Sequence, residues 1–238
     1  VQVIAYVRDP LRALKSQWEQ DVKELREPMS GQQLLSLTKQ RLNYRFFQRW
    51  IDAFGRDQFV LRRFQPDAFV GGNLLSDFLQ AAQIQLEADI ELPETEANQS
   101  LGAEGVALLL AMNGRYPLYL DGQYKTERGL ARRLHLFYRA MRDSGASKLS
   151  LDVKFNVEEA AGFNRKIGFL NSLLPEGEQF PEVVASESET VLPDANQIPI
   201  DYAVEVVNHL SHLVDQMADK VDHLQEKVTT LEEEAAKR

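Results

Sequence analysis

The residues best suited to chemistry lie close together, between positions 8 and 16. Residues 1–7 are mostly β-branched or apolar and have no helical period, so they predict a buried strand. Asp9 is a favourable N-cap and Pro10 suits the first helical position, so a helix should follow at once. Arg8 then ends the strand, and Ser16 lies about two turns into the helix. A guanidinium, a hydroxyl and the free N–H groups of a helix start together suit a dianionic phosphate monoester.

Arg8 and Ser16 also have plainer interpretations. The guanidinium could form a structural salt bridge, with Asp9 or elsewhere, and the serine could be an ordinary exposed residue. The strand end, the cap and the spacing agree, so the pattern favours phosphate binding. Arg12 shares a helix face with Ser16, but a surface side chain is the favoured interpretation of that arginine.

The same stretch resembles the 3′-phosphate-binding motif of sulfotransferases that use 3′-phosphoadenosine 5′-phosphosulfate (PAPS). That motif is a strand followed by Arg-Asp-Pro, with a serine eight residues after the arginine. Arg8 and Ser16 match it residue for residue. The resemblance covers about residues 1–182. Residues 50–64 look like the family's helix-then-strand segment, and 71–79, 98–113 and 163–170 resemble bacterial members of the family.

The resemblance implies a fold, a reaction and a location. The fold would be a helix-rich α/β sulfotransferase-like domain, related to P-loop NTPases. The reaction would move a sulfuryl group from PAPS, the co-substrate, to a hydroxyl of a carbohydrate or glycan acceptor, or of a small molecule. Arg8 and Ser16 would hold the 3′-phosphate of PAPS. The likeness to bacterial members implies a cytoplasmic protein that acts on a glycan or capsule precursor.

Two departures from the family pattern qualify this expectation. Many relatives carry an acidic residue where this chain has Gln65. The family's 5′-phosphosulfate loop and catalytic base lie upstream of the Arg-Asp-Pro strand, in a region that would precede Val1. We therefore expect a domain that is incomplete at its N-terminus, identify no catalytic residue, and expect this chain alone not to transfer sulfate. A second hypothesis is a catalytically inactive, sulfotransferase-like scaffold that organises partners.

Hydrophobic periodicity and turn residues predict the elements around this motif. A short strand is expected over 59–64, and helices over 10–25, 32–54, 74–82, 103–112, 129–142 and 157–174. Gly71-Gly72-Asn73 predicts a turn and an N-cap, Ser100 a further cap, and Asn113-Gly114 a helix end. One face of the helix over 32–54 is expected to point into the core: Leu35, Leu42, Phe46, Trp50 and Phe54.

From residue 200 the apolar residues follow a heptad repeat. The a positions are Ile200, Val207, Val214, Val221 and Val228, and the d positions are Ala203, Leu210, Met217, Leu224 and Leu231. β-branched residues at a with mostly Leu at d favour a parallel two-stranded coiled coil. We therefore expect a homodimer joined through these heptads. The alternative is a single amphipathic helix that packs on its own domain.

These patterns divide the chain into a domain over 1–182, a linker or surface-hugging segment over 183–199, and a coiled coil over 200–238. The net charge is −9, of which residues 183–238 carry −8, from 12 acidic and 4 basic side chains. The body of the chain is therefore nearly neutral. A body without a basic excess gives no sign of nucleic-acid binding, so no nucleic-acid partner is expected.

Composition excludes several classes of protein. The chain has no cysteine, so disulfide scaffolds, thiolate zinc sites and iron–sulfur clusters are excluded. No apolar run reaches the ~18–20 residues that a membrane span needs. His209 and His212 are three residues apart and could meet one metal ion, but solvated helix positions are favoured for both. We therefore predict no metal site.

Overall fold

The computed structural model describes residues 1–24, 29–85, 101–115, 119–120, 123–124, 128–144, 147 and 149–236. In these residues the helices are α1 (Pro10–Lys23), α2 (Gly31–Arg41), α3 (Phe46–Phe54), α4 (Leu74–Ala81), α5 (Ala103–Arg115), α6 (Arg128–Asp143), α7 (Val157–Asn171) and α8 (Ile200–Ala236). The strands are β1 (Val3–Val7) and β2 (Phe59–Arg63), and a short antiparallel pair, β3 (Tyr119–Leu120) and β4 (Gln123–Tyr124). The protein is therefore mixed α/β with helices predominating, as predicted at that level. The expected cap Ser100 lies outside the described residues.

The chain divides into two compact units, each assembled from three stretches. The first unit comprises Val1–Asp21, Ser30–Asn98 and Leu151–Leu192. The second comprises Val22–Met29, Gln99–Ser150 and Pro193–Arg238. The β1–β2 sheet and the residues predicted to bind phosphate belong to the first unit, and α8 belongs to the second.

The sheet of the first unit consists of β1 and β2, which run parallel. Their register pairs Val3 with Phe59 at one end and Val7 with Arg63 at the other. The Phe64 N–H continues the pairing by donating to the Val7 carbonyl at 2.7 Å. Apolar side chains from the strands and from α1, α2, α3 and α7 form the core: Val7, Leu14, Trp18, Leu34, Leu35, Phe47, Phe59, Leu61, Phe163, Ile167 and Leu170. The core thus fixes the strand-to-helix junction at Arg8.

The predicted single helix over 32–54 is wrong, because the chain breaks into α2 and α3. Ser30 begins α2 with a capping box, in which its side chain accepts from the Gln33 N–H. At the other end Leu42 has φ −59° and ψ 113°, outside the helical region. The Asn43 side chain then accepts the Arg45 N–H at 2.9 Å. An asparagine that binds nearby backbone competes with helix continuation, so the helix ends and restarts.

The inward face predicted for this segment is correct at Leu35 and wrong for the aromatic residues of α3. Leu35 is 1% exposed, whereas Phe46 and Trp50 are each 47% exposed and Phe54 is 38% exposed. Phe47 is the aromatic residue that enters the core, where its ring lies 5.5 Å from that of Phe59. The buried face of α3 is therefore rotated away from the predicted one.

The turn before α4 forms as the sequence predicts. The Asn73 side chain caps α4 by accepting the Leu75 N–H at 2.8 Å. Gly71 and Gly72 have φ of 63° and 71°, the left-handed region that glycine enters without steric cost. The predicted end of α5 at Asn113 is wrong, because the helix continues to Arg115 and Asn113 is buried within it.

Residues 180–190 form an extended strap on the first unit. Asn164 of α7 makes two hydrogen bonds with the backbone of Val183, of 2.9 and 3.0 Å. Asn171 does the same with the backbone of Phe180, at 2.8 and 2.9 Å. Thr190 is buried and accepts the Lys154 N–H at 2.8 Å. Two bidentate amide clamps and a buried threonine therefore hold the strap in place.

The long helix α8 presents two different faces. Its first turns pack on α6, where the Tyr202 hydroxyl donates to the Met141 carbonyl at 3.0 Å and Val206 is 2% exposed. The apolar residues of the heptad lie on another face and are about half exposed or more: Ile200, Val207, Val214, Met217, Val221, Leu224, Val228 and Leu231. Across the described ranges, no helix has the length and apolar character that crossing a bilayer requires.

Candidate phosphate-binding site

The predicted site begins where β1 ends. Val7 is buried and its carbonyl accepts the Phe64 N–H, so the last residue of β1 is held in the sheet. Arg8 is the next residue and is exposed. The carboxyl ends of parallel strands in open α/β sheets are where ligands commonly bind. Arg8 therefore stands at the favourable end of the sheet.

The start of α1 has the predicted cap. The Asp9 side chain accepts the Arg12 N–H at 2.8 Å, and the Asp9 carbonyl accepts the Ala13 N–H at 2.8 Å. Pro10 is the first helical residue. The first turn itself contains no acidic residue, so the Asp9 carboxylate at the cap is the negative group at the positive end of the helix dipole. The predictions for Asp9 and Pro10 are thus confirmed.

Arg8 and Ser16 both have side chains open to a ligand. Within the described part of the chain neither side chain makes a hydrogen bond or an ion pair, so the alternative salt bridge between Arg8 and Asp9 is not formed. Ser16 is exposed on α1, and Arg12 is exposed as well. The two predicted ligands therefore lie on one strand–helix unit, and no group in the described ranges competes for their polar atoms.

A cavity of about 430 Å³ opens beside the same helix start. Asp9, Pro10 and Leu11 form one side of it, and residues 152–155 and 181–186 form most of the rest. Lys154 faces Asp152 within it, with an Nζ–Oδ2 distance of 2.6 Å. The volume is within the range of small-molecule sites. Neither Arg8 nor Ser16 is among the lining residues, so the structure does not bring them into this cavity.

Tyr44 is a buried polar residue of the first unit that no sequence pattern selects. Its side chain is 7% exposed, and its hydroxyl has no hydrogen-bond partner among the described residues. Its ring stacks against Phe47 with centroids 6.4 Å apart. Burial raises the pKa of Tyr44, and the charge of the Asp9 carboxylate raises it further.

A second polar cluster joins both strands to α4. Tyr6 and Arg62 are register partners, and both donate to Asp77, which is 1% exposed. The Tyr6 hydroxyl reaches Oδ2 at 2.5 Å, while Arg62 contacts both carboxylate oxygens at 2.8 Å. Burial alone would raise the pKa of Asp77, but the hydrogen bonds from Arg62 and Tyr6 outweigh it and hold that pKa below its ordinary value.

This cluster is fully paired, so we assign it a structural role. Burial, aided by the hydrogen bond to Asp77, raises the pKa of Tyr6 to about 12. A phenol that stays neutral to such a pH keeps its hydrogen bond through the physiological range. Sequence spacing could not have indicated the contact, because Tyr6 and Asp77 are 71 residues apart.

The histidines of the tail do not meet. The His209 Nδ1 lies 3.2 Å from the Ser144 Oγ and 3.0 Å from the Glu205 carbonyl, whereas His212 faces Gln216 at 2.9 Å. Among the residues that the structure describes, no three His, Asp or Glu side chains are grouped so as to hold a metal ion.

Comparison of the chain with protein-family models, with curated proteins and with solved structures yields no significant match. The geometry at Arg8 and the motif in which that arginine stands are therefore the features of this chain that point to a function.

Proposed function

We propose that this chain binds PAPS through its 3′-phosphate, as part of a sulfotransferase that acts on a hydroxyl of a carbohydrate acceptor. The observation that carries the proposal is the strand–Arg8-Asp9-Pro10–helix junction, in which the arginine has no partner among the residues that the structure describes. Ser16, eight residues on, supplies a hydroxyl on the same helix. The bacterial character of the motif supports a cytoplasmic enzyme that modifies a glycan precursor.

The physical case for phosphate at this junction is electrostatic. Arginine presents a planar set of donors that matches phosphate oxygens, and it stays charged at any physiological pH. At the start of α1, Pro10 has no N–H and the Arg12 and Ala13 N–H groups donate to Asp9, so the N–H of Leu11 is the backbone donor left in the first turn for a phosphate. Arg8 is exposed and forms no ion pair with the described part of the chain, so it needs little rearrangement to bind.

Calorimetry with adenosine 3′,5′-bisphosphate, the product of PAPS, tests this proposal. A hydrogen bond to a charged group contributes about 1.5–3 kcal/mol, so Arg8→Ala should weaken binding roughly ten- to a hundredfold. Ser16→Ala should lie at the lower end of that range. The matched control is Arg49→Ala, which removes another exposed arginine of the first unit and should leave affinity unchanged. If Arg8→Ala binds like the wild type, the proposal fails.

The proposal includes a homodimer joined through α8. Support comes from the way α8 uses its two faces. The residues that pack on the second unit, Tyr202 and Val206, occupy c and g positions of the heptad, whereas the a and d residues other than the half-buried Leu210 stay exposed. A stripe of β-branched and leucine side chains at a and d is complementary to a second copy of itself. The helix can therefore serve its own unit and a partner at once.

A second candidate function is a catalytically inactive scaffold assembled through α8. The observation that favours it is the exposed a and d stripe, which extends from Ile200 to Leu231. The two candidates differ in one measurement. A scaffold predicts a dimer whose state does not depend on Arg8 and that has no affinity for adenosine 3′,5′-bisphosphate. The sulfotransferase predicts the same dimer together with binding that is lost in Arg8→Ala.

A further inference from the structure

The outer face of α3 carries an aromatic stripe that neither the core nor the proposed phosphate site uses. Phe46, Trp50 and Phe54 are exposed, and their four-residue spacing places them along one side of the helix. The rings of Trp50 and Phe54 stack with centroids 5.8 Å apart. Exposed apolar side chains that form one continuous patch mark a surface that contacts another molecule.

The stripe is separate from the face by which α3 packs on its own unit. That face contains Phe47, which is buried, and Ile51, which is half-buried. Each of the two follows a residue of the stripe, so it lies about 100° further around the helix. The aromatic rings therefore remain available to a partner without any movement of α3.

Arginines border the stripe on the side away from Phe47. Arg49 lies about 60° from Phe46 around the helix, and Arg45 stands one turn earlier. Arg41, at the end of α2, is a third basic residue nearby in the chain. All three arginines are exposed, and none forms an ion pair or a side-chain hydrogen bond within the described ranges. Their charge is therefore available to an anionic partner.

The acidic residue of α3 does not offset this charge. Asp52 lies about 200° around the helix from Trp50, and its side chain accepts a hydrogen bond from Gln48 at 2.7 Å. The outer face therefore combines exposed aromatic rings with positive charge along one edge. Amphipathic helices that lie in a membrane–water interface have this composition, with aromatic anchors and basic residues that reach lipid phosphates.

We propose that α3 docks the first unit on an anionic membrane surface. The aromatic rings lie among the lipid headgroups, while Arg45 and Arg49 pair with lipid phosphates through their guanidinium groups. With nine residues, α3 lies in the plane of the interface and does not cross it. The proposal is independent of the proposed phosphate site, which uses residues of β1 and α1.

The local arginines decide the attraction to such a surface. The whole chain has a net charge of −9, but charges more than about 8 Å away are largely screened at physiological ionic strength. A second copy of the chain fits the outer face less well than a lipid surface does. A symmetric contact between two copies would bring the same arginines together, and they would repel each other.

Sedimentation of the full chain with lipid vesicles tests this proposal. The chain should bind vesicles that contain phosphatidylglycerol, bind vesicles of phosphatidylcholine alone several-fold more weakly, and lose affinity as salt is added. An arginine near an anionic surface raises affinity about fivefold, so Arg49→Gln should weaken binding about fivefold and Arg45→Gln combined with it about 25-fold. Arg165→Gln, at an exposed arginine of α7, is the matched control and should bind like the wild type.

The aromatic stripe is tested by a separate variant. Trp50→Ser removes a ring that is already exposed, so the protein should stay folded while vesicle binding falls about tenfold. Val157→Ser, at an exposed valine of α7, is the control and should leave binding unchanged. Circular dichroism checks the fold of each variant, and Arg49→Gln keeps the test decisive if Trp50→Ser does not fold.

Three results would overturn the proposal. The first is no binding to phosphatidylglycerol vesicles, or equal binding by the wild type and the α3 variants. The second is binding of polyglutamate that depends on Arg49 without any binding of vesicles, which would assign the face to an acidic protein. The third is a smaller particle by light scattering in Trp50→Ser than in the wild type, which would assign the face to a second copy of the chain.

Discussion

Arg62 holds the Asp77 carboxylate through two parallel hydrogen bonds, each 2.8 Å long. Asp77 is almost completely buried, whereas the Arg62 side chain is 35% exposed. The pair ties the end of β2 to the first turn of α4. Because Tyr6 of β1 donates to the same carboxylate, one side chain holds three elements together.

Replacing Asp77 by Asn should destabilise the protein by about 2–4 kcal/mol, since it removes one charge of a buried pair and leaves Arg62 behind. The partial exposure of Arg62 keeps the loss below that of a fully buried pair. Urea unfolding measures this loss of stability, with Asp52→Asn as the control at an exposed carboxylate that contacts Gln48.

Stability at low pH should also depend on Asp77. The pKa of Asp77 is lowered in the fold, so its contribution to the free energy of unfolding is present above the ordinary aspartate pKa and is lost as pH falls through the folded value. Equal acid sensitivity in wild type and Asp77→Asn would contradict this.

Stability at high pH should depend on Tyr6. Its pKa is raised to about 12, first by burial and then by Asp77, so the fold favours the neutral phenol. The contribution of Tyr6 to the free energy of unfolding is therefore fully present below the ordinary tyrosine pKa of about 10, and it is lost as pH rises through about 12. We expect Tyr6→Phe to show a shallower loss of unfolding free energy between pH 10 and 12. Unfolding is followed by circular dichroism at each pH. If the free energy of unfolding falls equally steeply with pH in the two proteins, Tyr6 does not stabilise the fold in the way proposed.

Tyr44→Phe should stabilise the ligand-free protein, by up to about 1 kcal/mol, because it removes a buried hydroxyl that has no partner. Tyr202→Phe is the matched opposite case, since its buried hydroxyl donates to the Met141 carbonyl. That variant should lose about 1 kcal/mol. Urea unfolding of both variants measures whether the free energy of unfolding rises in Tyr44→Phe and falls in Tyr202→Phe. A destabilised Tyr44→Phe would mean that the phenol already has a partner in the folded protein.

The predicted coiled coil depends on its a positions. Placing Asp at both Val214 and Val221 would bury unpaired charges in the seam and should yield monomers. Thr229→Asp combined with Thr230→Asp adds the same charge at b and c positions and should leave the dimer intact. Light scattering at tens of micromolar decides between these outcomes. A dimer that survives the valine changes would exclude the heptad as its interface.

The point at which the chain is shortened should matter. Tyr202 and Val206 are buried in the second unit, so a chain that ends at Pro199 should lose stability in that unit. A chain that ends at Leu213 keeps both residues and removes three of the five heptads, so it should stay folded and become monomeric. Circular dichroism and light scattering of the two truncated chains test this. A stable fold in the shorter chain would show that Tyr202 is dispensable.

Features set by neighbouring residues could be predicted from the sequence, and features set by distant contacts could not. Asp9 and Asn73 cap their helices because the capping bonds reach only two or three residues along the chain. The inward face predicted for α3 is wrong, because the helical period locates an apolar stripe on the helix but does not show which side of that stripe contacts the core. Phe47 is set by contact with Phe59 on β2, which the pattern of α3 does not contain.

The same distinction explains the candidate site. Arg8 and Ser16 lie in one continuous motif, so their types and spacing are enough to predict them as phosphate ligands from the sequence. Tyr44 has no motif around it, and only the structure shows that its hydroxyl is buried without a partner among the described residues. Asp77 lies within a segment that resembles sulfotransferases. Its partners Tyr6 and Arg62 could not be predicted, because they come from two separate strands.

The rotation of α3 gives the protein two contrasting optical reporters. The chain contains two tryptophans, and both lie in the first unit. Trp18 is fully buried and its indole N–H donates to the Gly31 carbonyl, whereas Trp50 is 47% exposed beside the ring of Phe54. Their emission should therefore separate into a blue-shifted component shielded from aqueous quenchers and a red-shifted component open to them. The first follows the integrity of the core, and the second follows anything that covers the outer face of α3.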